Sequence, residues 1–164
     1  MKNHVKTVKK TFRKRRSKNK RPQRKKWLSV IRKKLIQTAK NAQKNAYCPY
    51  SRYPVGASIL TESGRIFSGC NVENVSFGLS CCAERAAIFS AVSHGEKKIR
   101  SICIVAKSAK PCGACRQVIT EFAMKDAELI YVDWQPLEKK KEKITYTKVQ
   151  KILPKPFNPS DAGL

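Results

Sequence analysis

The chain has 164 residues, of which 41% are hydrophobic, and its formal net charge is +25. This length suits a single domain that buries roughly two-thirds of the surface of its unfolded chain. No apolar run approaches the roughly 18 residues of a membrane span, and no signal-peptide core follows the basic start. Because the seven cysteines are an odd number, reduced thiols are favoured over a disulfide framework. We therefore expect a soluble, cytoplasmic protein with no membrane partner.

The positive charge is concentrated at the start of the chain. Residues 1–26, here called the basic N-terminal segment, hold 14 of the 36 Lys and Arg residues and none of the 11 Asp and Glu residues. The segment lacks apolar periodicity, so it is predicted to be disordered on its own. Residues 27–164 are the predicted folded domain.

The first predicted elements are a helix and a β-hairpin. The helix begins at Trp27 and ends before Pro49, because apolar residues recur at steps of three and four. These residues are Leu28, Ile31, Leu35, Ala39, Ala42 and Ala46. Residues 55–60 and 65–71 flank a Glu-Ser-Gly turn at 62–64 and are predicted to pair as a hairpin.

The remaining elements continue an alternating α/β pattern. Ser80 is the predicted N-cap of a helix that runs to about Ser93, where Gly95 stops it. Residues 101–106 form a short β-branched strand, and Pro111 opens another helix that runs through about Met124. The last two predicted strands are residues 128–133 and 144–149.

Two short motifs contain the residue types of a catalytic zinc site. Cys82-Ala83-Glu84 is followed, after 26 intervening residues, by Pro111-Cys112-Gly113-Ala114-Cys115. Three thiolates leave one position of a tetrahedral Zn²⁺ open for water, which is typical of catalytic rather than closed structural sites. Glu84, two residues from a ligand, is the candidate for moving protons.

The predicted ligands lie at helix starts, which has an electrostatic consequence. Three thiolates around Zn²⁺ leave excess negative charge, which opposes ionisation of a bound water. The positive ends of two helix dipoles and the nearby Arg85 or Arg116 offset this charge. The metal is therefore predicted to remain an effective Lewis acid.

Other interpretations of the cysteines are open at this point. Cys112 and Cys115 alone could form a redox pair, although this leaves Cys82 and Glu84 unexplained. A closed four-cysteine zinc site could recruit Cys81, but neighbouring helical residues point about 100° apart and rarely meet one metal. The cysteines outside the motifs, expected to be ordinary buried thiols, are Cys48, Cys70, Cys81 and Cys103.

Four segments occur in an informative order: residues 45–56 (NAYCPYSRYPVG), 69–74 (GCNVEN), 81–85 (CCAER) and 111–117 (PCGACRQ). Together they resemble the small homotetrameric cytidine deaminases of pyrimidine salvage, whose zinc signature combines a ligand-x-Glu motif with P-C-x-x-C. The resemblance covers about residues 28–160. It implies one zinc per subunit, a homotetramer, and a three-layer α/β/α sandwich with a five-stranded mixed sheet.

The resemblance also implies roles for the residues around the metal. Cys82, Cys112 and Cys115 match the zinc ligands of the family. Glu84 matches its proton shuttle, which takes a proton from zinc-bound water, protonates the ring nitrogen and helps ammonia leave.

Four further residues match substrate contacts of the family. Asn71 and Glu73 match the pair that hydrogen-bonds the ribose 3′-hydroxyl, and Tyr53 stands where a phenylalanine usually contacts the base. Phe157 resembles a C-terminal aromatic residue that enters a neighbouring subunit's site. Simple core packing is the alternative for Tyr53 and Phe157.

The sequence departs from the family pattern in three places. Phe77 replaces a tyrosine that commonly follows the N-x-E-N motif, so a hydroxyl contact to the sugar is expected to be missing. The loop 107–110 is shorter than in many relatives, which changes how the strand leads into the P-C-x-x-C helix. The basic N-terminal segment lies outside the family altogether.

The resemblance therefore implies hydrolysis of cytidine and deoxycytidine to uridine and deoxyuridine, with release of ammonia. Another cytosine compound, such as a nucleoside antibiotic, is an alternative substrate, although Asn71 and Glu73 favour a ribose. The basic N-terminal segment suggests a rival class, a nucleic-acid-binding or editing protein with non-specific polyanion contact. A transit peptide is a further interpretation of this segment, weakened by its single serine.

Overall fold

The computed structural model describes residues 20–134, 141–157 and Gly163. Its elements in chain order are α1 (Lys20–Gln43), β1 (Gly56–Thr61), β2 (Ile66–Cys70), α2 (Ala83–Ser93), β3 (Ile99–Ala106), α3 (Gly113–Phe122), β4 (Ala123–Asp133) and β5 (Lys143–Lys148). Short 3₁₀ turns precede α2 and follow β5. Within the described ranges, no helix has the length and apolar content needed to cross a membrane.

The five strands form one mixed sheet in the order β2-β1-β3-β4-β5. β3 and β4 are parallel, and the other neighbouring strands are antiparallel. Because side chains alternate along a strand, Ala57 and Ile59 pack against α2 and α3, whereas Leu60 packs with Leu35 of α1. The predicted α/β/α sandwich with a five-stranded mixed sheet is confirmed.

Two glycines allow helices to lie unusually close to this sheet. A Cβ atom on Gly56 would be 2.0 Å from the carbonyl oxygen of Ala39 in α1. A Cβ atom on Gly69 would be 2.6 Å from the backbone nitrogen of Ala87 in α2. Since the atoms approached belong to the backbone, only glycine fits at both positions. These contacts fix α1 and α2 against the hairpin of β1 and β2.

The first helix starts earlier than its apolar pattern predicted. α1 begins at Lys20 rather than Trp27, so residues 20–26 are helical and not disordered as expected. Lys, Arg and Gln are good helix formers, and Pro22 is tolerated in the first turn, where its missing N–H would have no partner. Residues 1–19 lie outside the described ranges, and the division into 1–26 and 27–164 stays a prediction.

Two boundaries predicted for the later elements are wrong. Ser80 does not cap α2, because the N-cap is Cys82, and the Ser80 hydroxyl instead accepts a backbone N–H from the preceding loop. α3 ends at Phe122, and β4 begins at Ala123, well before the predicted residue 128. Ala123 of β4 pairs with Ile99 of β3, and this pair extends both strands. An irregularity in the parallel ladder separates it from the regular pairing that begins at Ser101.

Candidate metal centre and catalytic cavity

The three predicted metal ligands meet where α2 and α3 begin. Cys82 is the N-cap of α2, Cys112 is the N-cap of α3, and Cys115 lies in the first turn of α3. Their Sγ atoms all lie within 4.8 Å of one another, and those of Cys82 and Cys112 are 3.8 Å apart. Two sulfurs each about 2.3 Å from a tetrahedral Zn²⁺ are themselves about 3.8 Å apart, so the cluster fits zinc.

Arg85 lies beside this cluster. Its Nη2 donates to the carbonyl oxygen of Ser80 at 2.9 Å and contacts the Sγ of Cys82 at 3.9 Å. A hydrogen bond from the Cys115 thiol, helped by this guanidinium, lowers the pKa of Cys82. The same thiol pairing, together with burial, raises the pKa of Cys115. Cys82 is therefore the readier of the two to ionise.

Arg116, the other predicted charge-compensating residue, makes different contacts. Its guanidinium donates to the carbonyl oxygens of Pro111 and Ile152, each at 3.0 Å. Arg116 thus ties the start of α3 to the C-terminal segment that follows β5. Its effect on the charge of the metal centre stays a prediction.

Glu84 lies in the first turn of α2 and is only 3% exposed. Burial, with a further contribution from the charge of Cys82, raises the pKa of Glu84 to about 7. A carboxyl group with a pKa near neutrality can accept and return a proton without a large energetic penalty in either direction. The geometry therefore equips Glu84 for proton transfer next to the metal position.

A cavity of about 310 Å³ opens at this end of the sheet. The residues predicted to form the site that line it are Tyr53, Asn71, Glu73, Cys82, Glu84 and Cys112. Ile104 and Ala106, from the end of β3, supply apolar wall. The structure thus brings two of the predicted metal ligands, the predicted proton shuttle and three predicted substrate contacts to one cavity, with the buried sulfur of Cys115 in the same cluster behind them.

Asn71 has a role in building the cavity wall that the sequence did not indicate. Its Nδ2 donates to the carbonyl oxygen of Tyr53 at 3.0 Å, and its Oδ1 accepts from the backbone N–H of Val55 at 2.8 Å. From the other side, the buried Gln43 donates through Nε2 to the carbonyl oxygen of Pro54 at 2.9 Å. Residues 53–55 are therefore held between two side-chain amides.

Sequence reasoning missed Gln43 altogether. Its position in the helix indicates that it is buried, because Leu35, Ala39 and Gln43 follow one another at steps of four on the buried face of α1. A polar side chain that continues an apolar helical series requires a hydrogen-bond partner in the core. Here that partner is the backbone of the cavity wall.

Glu73 is fixed as an anion at the cavity edge. Its carboxylate accepts the Ser51 hydroxyl and the backbone N–H groups of Tyr50 and Ser51, at 3.0 and 3.1 Å respectively. These bonds, with the Ser51 side chain contributing most, hold the pKa of Glu73 below its ordinary value. Glu73 thus organises the loop at 50–51 while lining the cavity.

Tyr53 connects the cavity wall to the loop at 107–110. Its hydroxyl donates to the carbonyl oxygen of Lys107, and burial raises the pKa of Tyr53. The loop itself is held by Ser108, which has a φ of +52° and donates its N–H to Asp133 Oδ1 at 2.8 Å. The loop that departs from the family pattern is therefore tied to both β4 and the cavity.

Two predicted features are arranged differently from the rest. Phe157 is 60% exposed outside the cavity, and its carbonyl oxygen accepts from Gln117 Nε2 at 3.1 Å. Phe77 is also exposed, and its ring packs edge-on against Tyr50 with centroids 5.7 Å apart. A single chain does not bring Phe157 into its own cavity.

The expectation that the remaining cysteines are buried holds only for Cys103. The other three, each partly exposed, are Cys48, Cys70 and Cys81. Cys81 donates toward the carbonyl oxygen of Cys82, and it is not part of the three-sulfur cluster. The closed four-cysteine alternative therefore receives no support from the side-chain geometry.

Three sulfurs with zinc-compatible spacing, beside a buried carboxyl group that lines a cavity of about 310 Å³, are the features of a zinc-dependent hydrolase site. Residues 30–131 match the family described as the cytidine and deoxycytidylate deaminase zinc-binding region. The chain belongs to this cytidine deaminase family, and it is an enzyme of that family.

Relatives and solved structures agree with this assignment. The chain is 44% identical over 131 residues to a cytidine deaminase of Sporosarcina psychrophila, covering 78% of this chain and 92% of the relative. It is 43% identical over 134 residues to a probable cytidine deaminase of Dictyostelium discoideum, covering 78% and 84% respectively. The crystal structure of a cytidine deaminase from Burkholderia pseudomallei superposes with a TM-score of 0.66 at 38% identity, covering 75% of this chain and 96% of that one.

Replacing one cluster cysteine should remove the metal. Cys112→Ala leaves two protein ligands, which do not hold a catalytic zinc firmly, so we expect most of the zinc and all useful turnover to be lost. Elemental analysis of the purified variant measures this directly. The matched control is Cys81→Ala, which should keep one zinc per chain because its sulfur lies outside the cluster. Stoichiometric zinc in Cys112→Ala would contradict the ligand assignment.

Proposed function

We propose that this protein hydrolyses cytidine and deoxycytidine to uridine and deoxyuridine, releasing ammonia, and that it serves pyrimidine salvage. The observation that carries the proposal is the buried Glu84, which lines a cavity beside a cluster of three cysteine sulfurs. The relatives named cytidine deaminase support the substrate.

The chemistry divides between the metal and Glu84. Cys82, Cys112 and Cys115 would hold a Zn²⁺ ion, which would supply Lewis-acid activation of water. The carboxylate of Glu84 accepts a proton from the attacking water and delivers it to the ring nitrogen beside the amino-bearing carbon. The water oxygen bonds to that carbon. Glu84 then carries the proton of the new hydroxyl group to the amino group, the carbon–nitrogen bond breaks as the carbonyl forms, and ammonia leaves. A pKa of about 7 suits Glu84 to both directions of transfer.

Substrate recognition is assigned to the sugar-facing side of the cavity. Asn71 uses one N–H and one oxygen lone pair on the wall, which leaves a second donor and acceptor for a hydroxyl group. Glu73 adds a fixed negative charge that accepts hydrogen bonds. Tyr53 and Lys110 also line this cavity. This arrangement favours a cytosine nucleoside over free cytosine as the substrate.

The state of the cysteines supports a reducing compartment. All seven are free thiols, and three of them must stay reduced to bind metal. We therefore propose the cytoplasm as the place of action.

Exposed apolar side chains near the cavity support a homotetramer. Val75, Phe77 and Leu79 are all highly exposed in the single chain. Large apolar side chains exposed this close together in the chain are typical of sites of protein association. We propose that this surface contacts neighbouring subunits and that Phe157 completes a neighbour's cavity.

Glu84→Gln should retain the fold and the zinc but lose turnover. The amide keeps the shape of the side chain and cannot carry the proton, and loss of a general acid–base group costs roughly 10² to 10⁴ in rate. Because Glu84 serves several transfers, we expect a loss at or beyond the upper end. Cytidine turnover followed by absorbance, with zinc content measured in parallel, tests this. Activity within about tenfold of the parent would exclude Glu84 as the shuttle.

Glu73→Ala should impair the nucleoside reaction. Loss of a hydrogen bond between the substrate and a charged group should lower kcat/KM about tenfold to a hundredfold. Glu62→Ala removes an exposed carboxylate away from the cavity and should leave kcat/KM unchanged. Equal activity of Glu73→Ala on cytidine, or efficient deamination of free cytosine by the parent, would overturn this assignment of specificity.

Phe157→Ala should lower activity without removing zinc if the ring enters a neighbouring cavity. The parent should scatter light as a tetramer, and its specific activity should fall on dilution below the assembly constant. A fully active monomer would show that Phe157 has no role in another subunit's site.

A further inference from the structure

The two signs of charge are separated along the chain to a degree that the catalytic site does not require. The first acidic residue is Glu62, so all the Asp and Glu residues lie in the last two-thirds of the sequence. α1 contains nine Lys or Arg residues and no acid over its 24 residues. A helix of this composition has a strongly positive potential.

Part of this charge forms a compact exposed patch centred on Val30. Lys26, Trp27, Lys33 and Lys34 lie three or four positions from Val30, so all share one side of the helix. The three lysines are exposed, and Trp27 and Val30 are 50% and 57% exposed. We call these five residues the outer face of α1.

The lysines of the outer face are not needed to hold the helix in place. The cations of α1 that do bind the sheet side are Arg32, which binds Glu128 with two hydrogen bonds of 2.8 and 2.6 Å, and Lys40, which pairs with Glu142. Within the described ranges, no carboxylate pairs with Lys26, Lys33 or Lys34. Acidic residues therefore neutralise the inward-facing cations and leave the outer ones available.

A second aromatic side chain lies on the same side of the sheet. A cavity of about 570 Å³ between α1 and β5 is lined by Lys33, Gln37 and Tyr146 among others. The Tyr146 ring is 46% exposed, and Arg32 stacks over it at 4.7 Å. Exposed rings interleaved with cations are typical of surfaces that bind single-stranded nucleic acid, where bases stack and phosphates pair with lysines.

We propose that the outer face of α1, with the adjoining cavity, binds single-stranded nucleic acid through phosphate contacts and base stacking on Trp27. It lies on the face of the sheet opposite α2 and α3, which carry the metal ligands. A bound strand therefore leaves the catalytic cavity open. The inference is independent of the deaminase reaction.

An anionic membrane is the competing occupant of a basic helix. A helix that lies in a membrane interface presents a broad apolar face to the lipid. The apolar face of α1 is instead buried against the sheet through Leu35, Ala39 and neighbouring residues. Among the α1 side chains that the structure describes, Trp27 and Val30 are the large apolar ones with half or more of their surface exposed, which favours a polyanion in water over a lipid surface.

Three variants of the full chain distinguish phosphate contacts from base stacking. Binding of a fluorescein-labelled 20-nucleotide RNA is followed by anisotropy over a series of salt concentrations. Lys26, Lys33 and Lys34 together changed to Gln should reduce the slope of log affinity against log salt by about 2. Trp27→Ala should weaken binding about tenfold with the slope unchanged, and Trp27→Phe should restore most of it.

The matched control changes three exposed lysines elsewhere, Lys97, Lys125 and Lys151, to Gln. Both triple variants lose the same charge and keep residues 1–19, so only position distinguishes them. If the control variant loses as much affinity for RNA as the α1 variant, the loss depends on net charge and not on the position of the lysines, and the proposal is overturned. Unchanged binding by Trp27→Ala, or tighter binding to phosphatidylserine vesicles than to RNA, would also overturn it. Cytidine turnover and zinc content should stay at parental values in every variant, so this test fails or succeeds separately from the proposed function.

Discussion

The close approach of α2 to β2 determines where the chemistry of this protein takes place. Gly69 leaves no side chain between the strand and the helix, and the facing residues Ala83 and Ala87 are small and fully buried. The first turn of α2 is thereby fixed against the sheet, and Cys82 and Glu84 belong to that turn or its cap. A larger residue at position 69 would move the helix, and with it one metal ligand and the proton shuttle together. Small side chains in this layer thus serve the geometry of the site as much as the stability of the fold.

The opposite wall of the cavity depends on hydrogen bonds rather than on close packing. Residues 53–55 contain a proline and run outside the sheet, so their backbone groups need partners from elsewhere. Gln43 and Asn71 supply them from α1 and from the end of β2. This arrangement makes the substrate wall an extension of both helix α1 and the hairpin. It also explains how a residue predicted to read the sugar can be buried while keeping free hydrogen-bonding capacity.

The sequence predicted the parts of the structure that depend on local pattern or on fixed chemistry. Apolar periodicity and turn residues indicated the strands, and the cysteine spacing singled out the three predicted ligands whose sulfurs the fold brings within 4.8 Å of one another. The pattern failed where competing backbone interactions decide the outcome. Ser80 is a good capping residue by type, but the extended backbone at Cys82 starts the helix two residues later. The start of α1 was missed because charged residues carry no apolar period, although they are good helix formers.

The two faces of the sheet divide the physical tasks of the molecule. The face covered by α2 and α3 places two helix N-termini beside the three sulfurs, where the positive ends of the helix dipoles stabilise thiolates. On the same face, burial raises the pKa of the Glu84 carboxyl group to about 7. Additional basic side chains there would compete for the same thiolates and for Glu84. The face covered by α1 carries the basic helix, and its acidic partners, Glu128 and Glu142, come from β4 and from the residue preceding β5. Because the sheet separates the two faces, a strongly basic surface can coexist with a metal site whose chemistry depends on controlled negative charge.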